Sequence, residues 1–274
     1  MTKSILITGA SSGIGYDAAH GLRDAGWRVF ASCRKQVDCD RLKSEGFDAP
    51  RIDLADTSSI TSGLDELLNA TGGTLDALYN NGAFAIPGLL EDLPTDALRE
   101  NFETNVFGYH ELTRRVIPVM RAQGRGRILN CSSVLGFVPA PWRGAYVSTK
   151  YALEGLTDVL RLEMMNEPIE VISIQPGPIT SKFRKNAVPK FERWIKPKES
   201  ARASDYEAMY DRLYTETEPG AFEWHPRLVT DAIKIALSHP KPKPYYRITP
   251  PTKFAYILKR ALPARALFKI MLNT

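Results

Sequence analysis

Apolar positions in the first two thirds of the chain alternate between two textures. Short aliphatic or β-branched runs, SILIT (4–8), RVFAS (28–32), APRID (49–53), LDALYN (75–80), RILNCS (127–132) and EVISIQ (170–175), predict strands. Between them, apolar residues recur three and four apart near 14–25, 36–45, 57–70, 95–122 and 144–165, which predicts helices. Glycine and proline at Gly72-Gly73, Pro87-Gly88 and Pro176-Gly177-Pro178 mark loops. Strand and helix in strict alternation predict βαβ units, hence an α/β class and a single doubly wound parallel sheet.

After Gly177 the rhythm breaks. Residues 182–225 are rich in Lys, Arg, Phe, Trp and Tyr, and read as an insertion over the carboxyl ends of the strands. A final strand near 244–248 and a basic, apolar tail at 251–272, cut in two by Pro263, complete the pattern. One domain is expected over 1–274, with a core at 1–181, the insertion at 182–225, and a last helix, strand and tail at 226–274.

With 43% hydrophobic and 24% charged residues, the 274-residue chain has the composition of a soluble globular protein. No charge-free apolar run reaches the roughly 18 residues of a membrane-spanning helix. The first residues run straight into a strand, which leaves no expected signal peptide. Three cysteines, Cys33, Cys39 and Cys131, suggest neither a disulfide framework nor a metal site, and a reducing, cytoplasmic setting is expected. The net charge of +5 is uneven, because no Asp or Glu lies between Lys241 and Thr274. Without interleaved basic and aromatic residues or a helix-turn-helix pattern, that charge does not indicate nucleic acid.

ITGASSGIG (7–15) closes the first strand and opens the first helix. Glycines there let backbone approach a pyrophosphate, whose charge the helix N-terminus favours, in the manner of a Rossmann fold. A tight turn with no ligand is the plainer alternative. The second strand ends Ser32-Cys33-Arg34-Lys35, without the acid that would bind a ribose 2′-hydroxyl. Arg34 offers a fork of donors and Lys35 a point charge, so NADP(H) is expected over NAD(H), unless both are merely solvated cations. Asp53 is a candidate for the adenine amino group or for the cap of the next helix, a role for which Thr57 competes.

In AYVSTK (145–150), Tyr146 and Lys150 share one helix face. A cation beside a tyrosine favours its phenolate, which makes the hydroxyl usable in proton transfer. TGASSGIG (8–15), NNGA (80–83), TNVFG (104–108), SS (132–133), YVSTK (146–150) and PGPITS (176–181) together resemble the short-chain dehydrogenase/reductase family, in the family's order and over roughly residues 3–185.

The resemblance implies a catalytic group of Asn105, Ser133, Tyr146 and Lys150, with Ser133 a better match than Ser132. Ser133 would hydrogen-bond the substrate oxygen, Asn105 would hold a water linking Lys150 to solvent, and Lys150 would reach the nicotinamide ribose. It implies cofactor contacts from Gly9, Ser11, Ser12, Gly13, Ile14, Gly15, Arg34, Lys35, Asp53, Leu54, Asn80, Asn81, Gly82, Tyr146, Lys150, Pro176, Gly177, Ile179 and Ser181, with Thr180 able to exchange with Ser181. No metal is implied. The family's Asn-Asn-Ala-Gly reads Asn80-Asn81-Gly82-Ala83 here, which moves glycine's freedom at positive φ by one residue.

Within the family, the match is nearest to hydroxysteroid and retinol dehydrogenase-like members and bacterial aldehyde reductases, which implies a small lipophilic aldehyde, ketone, retinoid or steroid as substrate. Phe137, Trp142 and Phe183, with Phe191 and Trp194, lie in segments expected to border it, though local core is the plainer role for any one of them. The expected activity is NADPH-dependent carbonyl reduction. An NAD-dependent alcohol dehydrogenase and a non-catalytic NADP(H) sensor are the alternatives. A homodimer or homotetramer through the helices at 95–122 and 144–165 is implied by the resemblance. The tail is expected either to close over the cleft or pack on a neighbour, or to make a peripheral contact with anionic lipid.

Overall fold

Strand β1 (Ser4–Ile7) is buried on both faces and sorts its side chains by period two. Ile5 and Ile7 enter one apolar layer and Leu6 the opposite one. The same alternation sends Ala77 and Tyr79 of β3 (Ala77–Asn80) one way and Leu78 the other. Leu129 and Cys131 of β4 (Gly126–Cys131) are likewise opposed by Ile128. Near-continuous apolar runs of this kind belong to a parallel sheet covered on both sides.

The computed structural model describes residues 2–214 and 223–272. With β2 (Arg28–Ala31), β5 (Ile169–Gln175) and β6 (Tyr245–Arg247), the strands form one six-stranded sheet in the order β2-β1-β3-β4-β5-β6, with every pairing parallel. One face is covered by α1 (Gly13–Asp24), α2 (Gln36–Ser44) and α9 (Arg227–Ser238). The other carries α3 (Thr57–Thr71), α5 (Gly108–Ala122) and α6 (Gly144–Glu163). The strand order reverses beside β1, so the crevice of a doubly wound sheet lies at the carboxyl ends of β1 and β3.

APRID (49–53) is not a strand. It lies beside β2 through two isolated bridges, Phe30 to Asp48 and Cys33 to Arg51. Ala31 N donates to Asp48 and Ile52 N to Cys33, and in that register the Ala31 carbonyl should be answered from position 50. Residue 50 is proline, which has no N–H, so the ladder is broken there into isolated bridges on either side.

The helix expected at 95–122 is α4 (Thr95–Phe102), a π-helical turn at Glu103–Phe107, and α5. The insertion supplies α7 (Phe183–Trp194) and α8 (Tyr206–Tyr214), which pack with Ile86, Leu89 and Trp142 in an apolar cluster of their own. Its residues 215–222 lie outside the described ones. The tail forms α10 (Pro250–Ala261) and α11 (Ala264–Leu272), parted at Pro263. Among the described residues, no helix is long and apolar enough to cross a membrane.

Candidate active site

The glycine-rich turn is held from behind by the end of β3. Thr8 Oγ1 accepts from the backbone of Asn81 at 2.8 Å and Gly82 at 3.0 Å, while Asn81 Nδ2 donates to the carbonyls of Thr8 and Gly9. Gly9 (φ +65°) and Gly13 (φ +58°) use left-handed backbone, and a Cβ on Gly9 would run into Gly82 Cα. Gly82 is not at positive φ, and neither is Ala83. The motif's glycine therefore serves close approach to Gly9, and the displaced conformational freedom expected from Gly82-Ala83 is not in use.

Ser12 precedes α1 in extended backbone with no side-chain cap bond, so neither Ser11 nor Ser12 quenches the helix N-terminus. Across the crevice, Ser181 follows β5 closely enough that a Cβ on Gly13 would meet its Cβ at 3.0 Å. Two glycine-freed backbone turns, an uncapped helix start at Ile14 and Gly15, and a hydroxyl facing them make a cradle that fits a dinucleotide pyrophosphate. Ile179 is tied to Trp224, and Pro176 accepts from Val134 N at 2.8 Å, so the segment after β5 is anchored at both ends. Gly177 lies under Thr249 and Thr252 of the α10 start.

Arg34 and Lys35 are exposed at the carboxyl end of β2, where Lys35 opens α2. Arg51 donates its Nε to the Arg34 carbonyl at 3.0 Å and adds a third cation. Asp53 does not cap α3. Asp56 does, accepting from Ser58 N and Ser59 N, because it stands immediately before the first helical residue, whereas Asp53 spends one oxygen on Ala55 N. Leu54, next to it, is buried against Gly82 and Gly108.

The Asn80 side chain turns into the core. Its amide protons go to Thr113 Oγ1 at 3.0 Å and Asn130 Oδ1 at 2.9 Å, tying β3 to α5 and β4 inside the core. The residue is fully buried, so its side chain does not reach the crevice.

The catalytic candidates converge at the end of β4. Ser133 immediately precedes a one-turn 3-10 segment, its Oγ accepts from Leu135 N at 3.1 Å, and its hydroxyl lies near enough to Tyr146 to draw that tyrosine's pKa down. Ser132 turns toward Gly136 instead. Burial pushes the Tyr146 hydroxyl above its ordinary value, against the opposing pull of Ser133 and Arg143. Lys150 is buried, donates to the Cys131 carbonyl at 2.6 Å, and lies 5.4 Å from the ring centroids of both Tyr109 and Tyr146. Burial lowers its ammonium to about 8. The expected phenolate stabilisation is therefore outweighed here by desolvation, with the cation bound to a carbonyl instead.

Asn105 occupies the π turn, a feature frequent at functional sites. Its amide clamps Phe84, accepting from N at 3.1 Å and donating to O at 2.9 Å, and its second proton reaches Thr149 Oγ1 at 3.2 Å. The side chain thus has no donor left for a water.

Of the aromatic candidates, Phe183 stands edge-on to Tyr146 with centroids 5.2 Å apart. Phe137 is buried against Tyr256 of the tail. Trp142, at a strained φ of +65°, packs edge-on to Tyr206 under the insertion. Phe191 is buried there too, and Trp194 donates to Glu100 at 2.6 Å. Apart from Phe183, each of these aromatics packs against a segment distant in the sequence.

Sequence reasoning passed over two features. Arg41 donates to the Ser11 carbonyl at 2.8 Å and to Glu45 at 2.6 Å, so a cation braces the glycine turn from α2. Tyr206 donates to Asp92 at 2.6 Å and accepts from Leu89 N at 3.2 Å, seating the insertion. The only sequence signal for either was an Arg three residues before a helix end or a Tyr in an aromatic-rich stretch.

Comparison with known proteins bears on the same segments. A family model described as short chain dehydrogenase matches residues 3–191. An uncharacterized oxidoreductase, YbbO, of Escherichia coli (strain K12) is 37% identical over 271 residues, covering 99% of this chain and 94% of the relative. A 3-ketodihydrosphingosine reductase of Bacteroides thetaiotaomicron is 34% identical over 185 residues, 66% of each chain. A Burkholderia phymatum short chain dehydrogenase/reductase, solved in complex with NAD, superposes with a TM-score of 0.78 at 20% identity over 94% of each chain.

Proposed function

The chain belongs to the short-chain dehydrogenase/reductase family and is an oxidoreductase of that family acting on CH–OH/C=O groups; from that premise we propose that it reduces a small lipophilic aldehyde or ketone with NADPH. The observation that carries the reading is the hydroxyl pair of Ser133 and Tyr146, with an aromatic edge from Phe183 on one side and Lys150 one helical turn on.

A tyrosine held above its ordinary pKa is protonated throughout the neutral range. It is a ready donor to a carbonyl oxygen and a poor base for an alcohol, which favours the reductive direction. Ser133 hydrogen-bonds the same oxygen as negative charge develops on it. Lys150 supplies a nearby positive charge and holds the end of β4 in register with the helix. Asn105 fixes Phe84, and through it the floor between β3 and α4; a water toward Lys150 would be held by backbone there, not by its amide.

The nicotinamide, when bound, supplies the hydride. Gly9, Ser11, Ser12, Gly13, Ile14 and Gly15 would hold the pyrophosphate, with Arg41 bracing the turn. Asp53 and Leu54 would border the adenine, Asn81 and Gly82 the adjacent ribose, Tyr146 and Lys150 the nicotinamide ribose, and Pro176, Gly177, Ile179 and Ser181 the carboxamide. Arg34 and Lys35, with Arg51 beside them, favour a 2′-phosphate, since charge-assisted contacts of an Arg fork are strong and no acid ends β2.

The lipophilic substrate is supported by Phe183 and by the likeness to the relative named 3-ketodihydrosphingosine reductase. Residues 1–181 act as cofactor and catalytic core, 182–225 as the substrate-side insertion, and 226–274 as the closing segment of one domain. Exposed Phe107 on the π turn and Tyr151, Leu156, Val159 and Leu162 on α6 favour a homodimer or homotetramer built on this side of the molecule. The proposed setting is cytoplasmic, with peripheral membrane contact through the tail.

The test is loss of reduced-nicotinamide absorbance when the protein meets a panel of aldehydes, ketones and retinoids with NADPH and NADH in parallel. Turnover preferring NADPH supports the reading. A preference for NADH would make it an NAD-dependent alcohol dehydrogenase, and tight binding without turnover would make it a sensor.

A further inference from the structure

Past Asp231 the chain carries no acidic residue, while eight cations fall between Lys241 and Lys269. Five of them, Lys253, Lys259, Arg260, Arg265 and Lys269, are exposed on α10 and α11. Among the described residues no carboxylate pairs with Lys253, Lys259, Arg260 or Arg265; Lys259 lies over the Tyr151 ring and Arg260 donates to Tyr256. Each helix also turns large apolar side chains to solvent: Phe254 and Ile257 on α10, at 61% and 59% exposure, and Phe268 and Leu272 on α11, at 56% and 71%. The spacings of three and four put each pair on one helix face.

The opposite faces are buried against the catalytic segment. Ala255, Tyr256 and Met271 pack on Val134, Phe137 and Val138, just after Ser133. Thr249 and Thr252 crowd Gly177 on the far side of the crevice. The two helices therefore touch both walls of the site with one surface and present apolar and cationic side chains with the other. Apolar side chains rimmed by cations match the acyl boundary beneath anionic headgroups, where charge and burial act together.

We propose that α10 and α11 form a peripheral docking surface for an anionic lipid bilayer, which sets the mouth of the cleft beside the membrane and lets a lipophilic carbonyl enter from the lipid phase. The delivery role rests on the reductase reading above; the docking does not.

The test uses the full chain in flotation with phosphatidylglycerol vesicles and with phosphatidylcholine vesicles, alongside turnover of a short water-soluble aldehyde and the mass of the assembly in solution. Expected is binding to phosphatidylglycerol that weakens with salt, and much less to phosphatidylcholine. K253Q and R265Q should each lower partitioning about fivefold. The double change Phe268→Ser with Leu272→Ser should lower it by roughly tenfold or more. All three variants should keep wild-type turnover of the soluble aldehyde. Absent or lipid-indifferent binding would overturn the proposal. So would variants that change the mass of the assembly, since the face would then belong to a second copy. If the wild type binds vesicles yet reduces no aldehyde, the docking stands and the reductase reading fails.

Discussion

Lys150 donates to the Cys131 carbonyl at 2.6 Å, so a fully buried cation is fastened to the last residue of β4 one turn beyond Tyr146. Burial lowers the ammonium to about 8 from 10.5, with Cys131 and Glu154 opposing. Between those values the unfolded chain binds the proton and the folded chain does not, so this group makes stability rise as pH rises from about 8 toward 10.5. Below 8 its charge costs folding about 3 kcal/mol at most. Lys150→Met should therefore be at least as stable as wild type at pH 7, with the difference shrinking as pH rises toward 10.5, measured by urea denaturation across that range. Reductase activity should nonetheless fall by roughly a hundredfold or more.

Arg34 is the residue on which the cofactor preference turns. Arg34→Ser should weaken NADPH binding about 10- to 100-fold and leave NADH binding within a factor of about two. Fluorescence titration of both cofactors checks this, and equal effects on the two would detach Arg34 from the 2′-phosphate.

Gly9 combines a φ of +65° with a Cβ direction blocked by Gly82. Gly9→Ala should cost about 2–4 kcal/mol of stability and at least about tenfold in cofactor affinity, because the turn must open to admit the methyl group. Chemical denaturation with and without NADPH separates the two losses.

The β1 turn and the Tyr146–Lys150 pair were legible in the sequence because each is a local pattern: a glycine-bearing strand-to-helix turn, and two residues on one helix face. Short aliphatic or β-branched runs likewise marked the strands now seen in the sheet. APRID misled because its apolar content is right for a strand while Pro50 removes the one N–H the ladder needs. Adjacent residues along an extended segment face opposite ways, so the Asn81 amide reaches the glycine turn while the Asn80 amide enters the core, a division the pair of asparagines does not show in the sequence. Arg41 and the Tyr206–Asp92 bond were not legible, since each depends on which distant segment lies across from it. Phe137 and Trp142 belong with these, because an aromatic residue cannot declare from sequence whether its neighbour will be substrate or another ring.

Tyr206 gives the insertion its polar anchor. Tyr206→Phe leaves the buried Leu89 N–H without its acceptor and removes a donor from Asp92, a loss of about 1–3 kcal/mol. Because the anchor seats the insertion and not the glycine turn, KM for the carbonyl should rise several-fold while NADPH affinity is unchanged. A fall in NADPH affinity alone would place the insertion's role elsewhere.

The central claim is that Tyr146 delivers the proton in NADPH-dependent carbonyl reduction, and Tyr146→Phe tests it most directly when NADPH binding and steady-state turnover are measured on the same preparation. The predicted result is cofactor affinity within about threefold of wild type, with kcat reduced by roughly a hundredfold or more. Wild-type turnover in the variant, with cofactor bound normally, would contradict the account.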